Sequence, residues 1–431
     1  MADANRPNIL YIHSHDTGRC IQPYGYSVNT PNLQKLAEEG VVFRHAFCAG
    51  PTCSPSRAAL LTGQWPHQAG MLGLAHRGWT LHDYSQHLIH HLKEAGYLTA
   101  LSGIQHVAPR REMVGYDRYL SDGHRYDFEQ DLAHPAVEFL NEPDRHKQPF
   151  FLSVGFFETH RFSDPGSRNT HRWGGHVGDG RYVSPPHPLP DNAETRADWA
   201  DFRDAAERLD TQMGRVFDAL QRNGLAENTL VIAAADHGID FPRNKCTLYD
   251  GGIGVYLIMR SPGAFSGGKV IDAMVSHVDI FPTLCDWLGL DKPAWLVGES
   301  MMPLLTGQAE RIREQTFAEI NYHVKYLPQR CVRTDKWKYI RRFESPDHHR
   351  PPEGNGAISR DFYIAQGWAD QPWSEEGLYD LVFDPGEMNN LVDDPRAADA
   401  LQDMRQRLDQ WMRDTHDPLL AGPIPPVKRE E

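Results

Sequence analysis

The stretch Pro7-Asn8-Ile9-Leu10-Tyr11-Ile12-His13-Ser14-His15-Asp16-Thr17-Gly18 begins as an apolar run and ends in a polar turn. Asn8 to His13 reads as a strand buried on both faces, because the run is short, continuous and bounded by turn residues. The same design recurs at Leu230 to Ala235, which runs into Asp236-His237-Gly238. Tyr97 to Leu101, Phe150 to Phe157 and Val255 to Met259 read as further strands, and Val41 to Phe47 is strand-like. Helical patterns lie between them. Thr30-Pro31 offers a cap and a proline suited to the first helical position, and Gly40 ends that helix. Pro55 to Thr62 reads as a helix start closed by Gly63, residues 82–95 as a helix stopped by Gly96, and 193–223 as one ending near Gly224. This alternation predicts an α/β fold, with a large, mostly parallel sheet sandwiched by helices.

The chain has 431 residues, which predicts a large domain plus a smaller one. Composition changes after about residue 310. Phe317 to Glu319, Cys331 to Arg333, Trp337 to Ile340 and Leu378 to Leu381 resemble short strands of a meander, and 396–415 a closing helix. The expected division is a catalytic domain over 1–310 and a smaller α+β domain over 311–431. Arg161 to Asn192 reads as a long loop near the site. The net charge of −14 argues against nucleic-acid binding, which calls for a basic surface. No run approaches the length of a membrane helix. The six cysteines form no C-x-x-C pair and read as buried small residues. Met1 to Arg6 leaves no room for a signal peptide, so the expected compartment is the cytoplasm.

Ligands of open α/β sheets bind beyond the carboxyl ends of the strands. There, one strand delivers His15 and Asp16 and another delivers Asp236 and His237. Two carboxylates and two imidazoles suit a divalent cation. Taken singly, either pair is better read as a turn cap. Cys53-Ser54-Pro55-Ser56-Arg57 is more specific. Pro55 fits the first position of a helix, so Cys53 precedes a helix N-terminus, where free amides and the dipole favour an anion. Arg57 sits one turn further on.

Cys53-Ser54-Pro55-Ser56-Arg57 followed by Leu60-Leu61-Thr62-Gly63 resembles the signature of the type I sulfatases, of the alkaline phosphatase superfamily. Pro7-Asn8-Ile9-Leu10, Thr30-Pro31-Asn32-Leu33, Phe43 to Phe47 and Leu378 to Leu391 resemble other landmarks of that family, so the likeness spans nearly the whole chain. Within it the chain is most similar to the heparan N-sulfatases, through Cys53–Gly63, Gln68 to Gly73, His106-Val107, Phe151 to Arg161 and Thr415 to Pro418. The resemblance implies that a formylglycine-generating enzyme oxidises Cys53 to formylglycine. One hydroxyl of the hydrated aldehyde then attacks sulfur, and the other expels sulfate. It also implies that Asp16 and Asp236 bind metal, and that Arg57 and His106 support the formylglycine. By the same resemblance, His160 is expected to face the leaving-group oxygen and Lys245 to grip the sulfate. The implied ion is calcium and the implied substrate a small sulfated sugar.

Three positions depart from the family pattern. His15 stands where an aspartate is usual, His237 where an asparagine is usual, and Ile104 where a lysine is usual. Calcium prefers oxygen ligands, so two imidazoles shift the expectation toward manganese or zinc. In an alternative arrangement His15 orients Asp16 from behind. Asp236-His237 and Ile104 also resemble the phosphonate monoester and phosphodiester hydrolases of the superfamily, which makes that activity the rival reading. A non-catalytic binding protein would have no use for a modifiable Cys53. Arg330, Arg333, Lys336, Lys338, Arg341 and Arg342 read as a solvated strand face rather than a pocket wall. His171 and His176 are weighed as loop residues at an entrance, and Glu319 and His323 as side chains within reach of substrate.

Overall fold

The computed structural model describes residues 6–121, 131–163, 169–172, 175–263, 265–344, 357–371 and 374–427. An eight-stranded sheet forms its centre. In chain order the strands are β1 (Asn8–Ser14), β2 (Val41–Phe43), β3 (Leu98–Gly103), β4 (Arg118–Tyr119), β5 (Phe150–Gly155), β6 (Thr229–Ala235), β7 (Leu257–Arg260) and β8 (Lys269–Ile271). Their spatial order is β8-β2-β7-β6-β1-β5-β3-β4. All seven residues of β1 and of β6 are buried, as their unbroken apolar sequences require.

β1 lies between β5 and β6 and is parallel to both. The last rung joins Ser14 to Ala235, so His15-Asp16 and Asp236-His237 leave the sheet side by side. Close approach of the two exit loops depends on glycine. Gly18 has φ +55°, and its N–H donates to the His237 carbonyl at 2.9 Å. A Cβ on Gly238 would stand 1.9 Å from the Gly251 carbonyl oxygen.

Two strand runs divide between sheets. The Val255–Met259 run contributes β7, which is antiparallel to both β6 and β2. The chain between β6 and β7 holds no long crossover helix, and a strand that returns by a loop comes back antiparallel. Val41 to Phe47 also splits, with Ala46–Phe47 joining a separate three-stranded sheet.

Helices cover the sheet: α1 (Pro31–Glu39), α2 (Cys53–Thr62), α3 (Leu88–Glu94), α4 (Ala133–Leu140), α5 (Ala193–Arg222) and α6 (Ile280–Leu288). α5 begins where the Asn192 side chain accepts the Thr195 N–H at 2.8 Å. α2 is buried at all ten positions. It begins at Cys53 itself, so Pro55 is the third helical residue rather than the first. Proline is tolerated there because first-turn amides have no partner inside the helix.

The C-terminal part is an antiparallel meander of β9 (Thr316–Tyr322), β10 (Tyr326–Arg333), β11 (Trp337–Arg342) and β12 (Glu376–Asp380), with α7 (Ala398–Asp414) against it. Trp411 of α7 stacks on Phe317 with ring centroids 4.9 Å apart and packs edge-on to Trp65. One apolar core therefore runs through both sheets.

Several cations expected on a solvated face are buried instead. Arg330 and Lys338 are fully shielded and Arg333 is 6% exposed. Arg330 pairs with Asp417 and lies 3.3 Å from Glu319, while Arg333 and Lys338 both pair with Asp250. Glu319 does not face a substrate space. It accepts from the His67 amide at 2.9 Å and lies 2.7 Å from His67 Nδ1.

Two consequences are testable. Gly238→Ala puts a methyl group into backbone and is expected to cost about 1–3 kcal/mol or more, read from the urea midpoint. Burial raises the Glu319 carboxyl, but His67 and Arg330 outweigh it and hold the pKa down to about 2 against an ordinary 4.5. A depressed carboxyl stabilises the fold above its unfolded pKa, and that stability is lost as pH falls through the folded value. The stability gap between wild type and Glu319→Gln is expected to shrink between about pH 4.5 and 2 in urea melts.

Candidate active site

The carboxyl ends of β1 and β6, the start of α2 and the loop after β5 converge on one buried point. One ligand atom from each of His15, Asp16, Cys53, Asp236 and His237 lies within 4.8 Å of all the others. Asp16 has φ 57°, which turns its N–H onto Asp236 Oδ1 at 2.9 Å. His15 Nδ1 lies 2.8 Å from Asp16 Oδ1 and 3.3 Å from Asp236 Oδ2.

Both carboxylates are ionised at neutral pH. Burial opposes the charge on Asp16, but Lys245, His15, His160 and His237 outweigh it and hold its pKa well below the usual range. Asp236 is likewise opposed by burial and held low by His237, His15 and Arg57. Lys245 Nζ donates to Asp16 Oδ2 at 2.6 Å, and Arg57 Nη2 to Asp236 Oδ2 at 3.0 Å. Burial disfavours the Lys245 ammonium, yet the negative charges of Asp16 and Asp240 raise its pKa well above normal. Burial lowers the pKa of His15, so its ring is neutral.

His237 tests whether these residues suit a cation. Its Nδ1 lies 3.0 Å from the Gly238 carbonyl oxygen, which can only accept. With Nδ1 donating there, a ring that carries a single proton turns a lone pair outward from Nε2. That nitrogen is buried without a hydrogen-bond partner, 3.2 Å from Asp16 Oδ1 and 3.8 Å from Asp236 Oδ2. A lone pair facing two carboxylates is an arrangement that a divalent cation satisfies.

The Cys53–Arg57 segment ties the parts together. Cys53 is 3% exposed, and burial pushes its thiol up to about 12. The Ser54 hydroxyl accepts the Ala75 N–H at 2.9 Å, which fixes the turn carrying His76. His76 Nδ1 lies 3.0 Å from His106 Nε2, and the two rings stack. The Ser56 hydroxyl donates to the Asp236 carbonyl and lies 3.2 Å from His277 Nδ1. Arg57 Nη1 donates to His13 Nδ1 at 2.6 Å. His160 is held by Thr159, whose amide donates to the His15 carbonyl at 2.7 Å and whose hydroxyl donates to the Asp16 carbonyl at 3.0 Å. The His160 Nε2 stands 3.8 Å from Asp16 Oδ2, and its side chain is 32% exposed, which marks the open side of the site. A cavity of about 200 Å³ adjoins His106 and is lined also by His76, Ile104, Arg111, Tyr119 and Phe157.

The structure thus gathers His15, Asp16, Cys53, Arg57, His160, Asp236, His237 and Lys245, with His106 on the same rim (His15 and His106 ring centroids 6.2 Å apart). His171 is not at an entrance. It is buried, 2.7 Å from the Thr159 carbonyl oxygen and packed on Phe202 and Phe241, whereas His176 is exposed. His13, His76 and His277 were missed. His13 carried one signal, since residues two apart on a strand share a face and His15 was already singled out.

The sulfatase family profile matches residues 7–290, and the profile described as N-sulphoglucosamine sulphohydrolase, C-terminal, matches 238–352. The chain belongs to the sulfatase family. It is 30% identical to human N-sulphoglucosamine sulphohydrolase, over 96% of this chain and 92% of that protein. The fold is also that of a 2-O GAG sulfatase (TM-score 0.74, 23% identity, covering 96% and 94% of the two chains). A structure determined with its substrate D-glucosamine-2-N,6-O-disulfate aligns with TM-score 0.71 and 20% identity, over 96% and 98%.

Membership of the sulfatase family implies a metal ion, and the donor set above accommodates one. A ligand that binds only the folded state stabilises it, by about 2.7 kcal/mol at a hundredfold excess over Kd. Calcium, manganese or zinc added to chelator-treated protein is expected to raise Tm, and Asp236→Asn is expected to abolish the rise. The ion giving the largest rise at equal concentration identifies the preferred metal.

Proposed function

We propose that this sulfatase hydrolyses a sulfate ester or sulfamate on a small sulfated sugar, with Cys53 as the precursor of its nucleophile. The observation that carries this reading is the state of Cys53: a thiol buried beside two ionised carboxylates, with its pKa pushed up to about 12. Residue 53 sits at the start of a buried helix and among the cluster's donor atoms, a place that suits an anionic oxygen. Conversion to formylglycine by a formylglycine-generating enzyme would supply that oxygen as an aldehyde hydrate. The metal, held by His15, Asp16, Asp236, His237 and the modified residue 53, would supply charge stabilisation.

The chain's own residues complete the reading. Lys245 and Arg57 bring two fixed cations to the carboxylate pair, and Lys245 is proposed to grip the sulfate oxygens. Hydrogen bonds to His13 and Asp236 keep Arg57 oriented. His106, backed by His76, is proposed to contact residue 53. The Nδ1 of His160 donates to the Arg161 carbonyl, which leaves Nε2 toward the open side, where a leaving group would sit. Substrate chemistry follows the relatives, which include N-sulphoglucosamine and hexuronate sulfatases. Residues 1–310 are proposed as the catalytic domain and 311–431 as the smaller one. The proposed compartment is cytoplasmic, in keeping with six unpaired, buried cysteines.

His237 and the buried Ile104 favour the second reading, a phosphonate monoester or phosphodiester hydrolase on this scaffold. Protein co-produced with the modifying enzyme is expected to show an aldehyde on the Cys53 peptide by mass spectrometry. It should turn over N- or O-sulfated glucosamine, and Cys53→Ala should lose on the order of 10⁴-fold or more in kcat/KM. Full activity from the unmodified thiol would overturn the nucleophile. Phosphonate turnover exceeding sulfate turnover by orders of magnitude would overturn the sulfate preference.

A further inference from the structure

A second pocket of about 320 Å³ lies behind the metal-cluster loops, and none of the clustered residues lines it. Gly18, two residues after Asp16, and Ile239, two after His237, form part of its wall, and residues 385–387 close it from the C-terminal part. Its volume is at the lower end of ligand pockets.

The charges in this pocket do not balance. Arg333 shares Asp250 with Lys338, and Lys338 also lies 3.4 Å from Glu387, so two cations face two carboxyls. Burial and the nearby Asp250 push Glu387 up to about 7 despite Lys338, which leaves it only partly ionised at neutral pH. Arg19 and Arg243 line the same pocket, and neither forms an ion pair among the described residues. Arg19 spends one N–H on the Ala46 carbonyl and rests over Phe47, 4.6 Å from the ring centroid. Arg243 donates to the Glu387 carbonyl at 2.7 Å and lies 4.3 Å from the Tyr249 ring centroid. The Nε of each is shielded from solvent without a partner. An unpaired donor on a shielded cation is costly unless an anion visits it. The pocket keeps two such cations in a chain of net charge −14. His45 lines it as well, and burial followed by Arg19 and Arg333 disfavours its protonation.

We propose that this pocket is a second anion site, separate from the catalytic centre, which takes the carboxylate or sulfate group of a small ligand on Arg19 and Arg243. Arginine suits this because its planar fork matches a carboxylate or sulfate with paired hydrogen bonds. The wall adds apolar surface through Leu381, Pro385 and the Tyr249 ring. Such a surface fits an anionic group carried on a ring better than a bare ion.

The test is a thermal-shift titration of the full chain with inorganic sulfate and, separately, with glucuronate. Wild type is compared with Arg19→Gln/Arg243→Gln and with Lys245→Gln. The double variant is expected to weaken binding of at least one anion tenfold or more, while Lys245→Gln leaves that component in place. Tighter glucuronate binding assigns the site to a uronate-bearing ligand, and tighter sulfate binding to released product or a sulfated unit. Unchanged titrations in the double variant, or no wild-type binding beyond the component lost in Lys245→Gln, overturn the proposal. If the double variant does not fold, selenate soaked into wild-type crystals decides. An anomalous peak within hydrogen-bond reach of Arg19 and Arg243 supports the site, and selenate bound only elsewhere overturns it.

Discussion

Asp16 and Asp236 are two ionised carboxylates buried at the ends of adjacent parallel strands, and the surrounding structure answers to their repulsion. At about 4 Å and an effective dielectric near 20, two like charges repel by about 4 kcal/mol. Neither can escape by protonation, because the neighbouring cations and imidazoles hold both pKa values low. Compensation comes from separate elements: Lys245 from the loop after β6, Arg57 from inside α2, and the His15 ring N–H from the end of β1. Each compensating group needs its own support. His13 accepts from Arg57, Ser56 fixes the Asp236 backbone, and Thr159 straps the His15–Asp16 turn to the His160 segment. The close approach of the two loops, which leaves no room for a Cβ at Gly238, is the backbone side of the same constraint.

The sequence made the catalytic frame legible because its signals are local. Apolar runs that end in Asp and His, a helix signalled at Pro55 and closed at Gly63, and a helical stretch over 193–223 that ends near Gly224 are each visible within a few residues. What stayed hidden depends on partners distant in the chain. Arg330 lies 87 residues from Asp417, and Arg333 lies 83 from Asp250, so nothing nearby distinguishes a buried cation from a solvated one. His76 was invisible for the same reason, since its place follows from the Ser54–Ala75 hydrogen bond. The direction of β7 depended on the form of its connection rather than on its composition.

His15 and His237, two of the three departures from the family pattern, lie inside the charge-compensating shell. Each offers a ring nitrogen to a compact cluster of donor atoms, and nitrogen donors suit manganese or zinc better than calcium. Ile104, the third, instead lines the small cavity beside His106. Arg111 is the cation on that cavity's wall, while Lys245 and Arg57 are the fixed positive charges in contact with the carboxylate pair.

Burial of Cys53 carries a further consequence for how the site is made. All ten residues of α2 are buried, and the helix is held by Ser54, Ser56 and Arg57 to three other parts of the molecule. An enzyme that must grasp Cys53 with its neighbours cannot do so while these contacts hold, because it would have to pull α2 out of the core. The same residues that make Cys53-Ser54-Pro55-Ser56-Arg57 readable in an extended chain become structural ties once the chain folds. On the proposed reading, modification of Cys53 would have to precede the docking of α2; in the folded chain the segment is a clamp on the carboxylate pair.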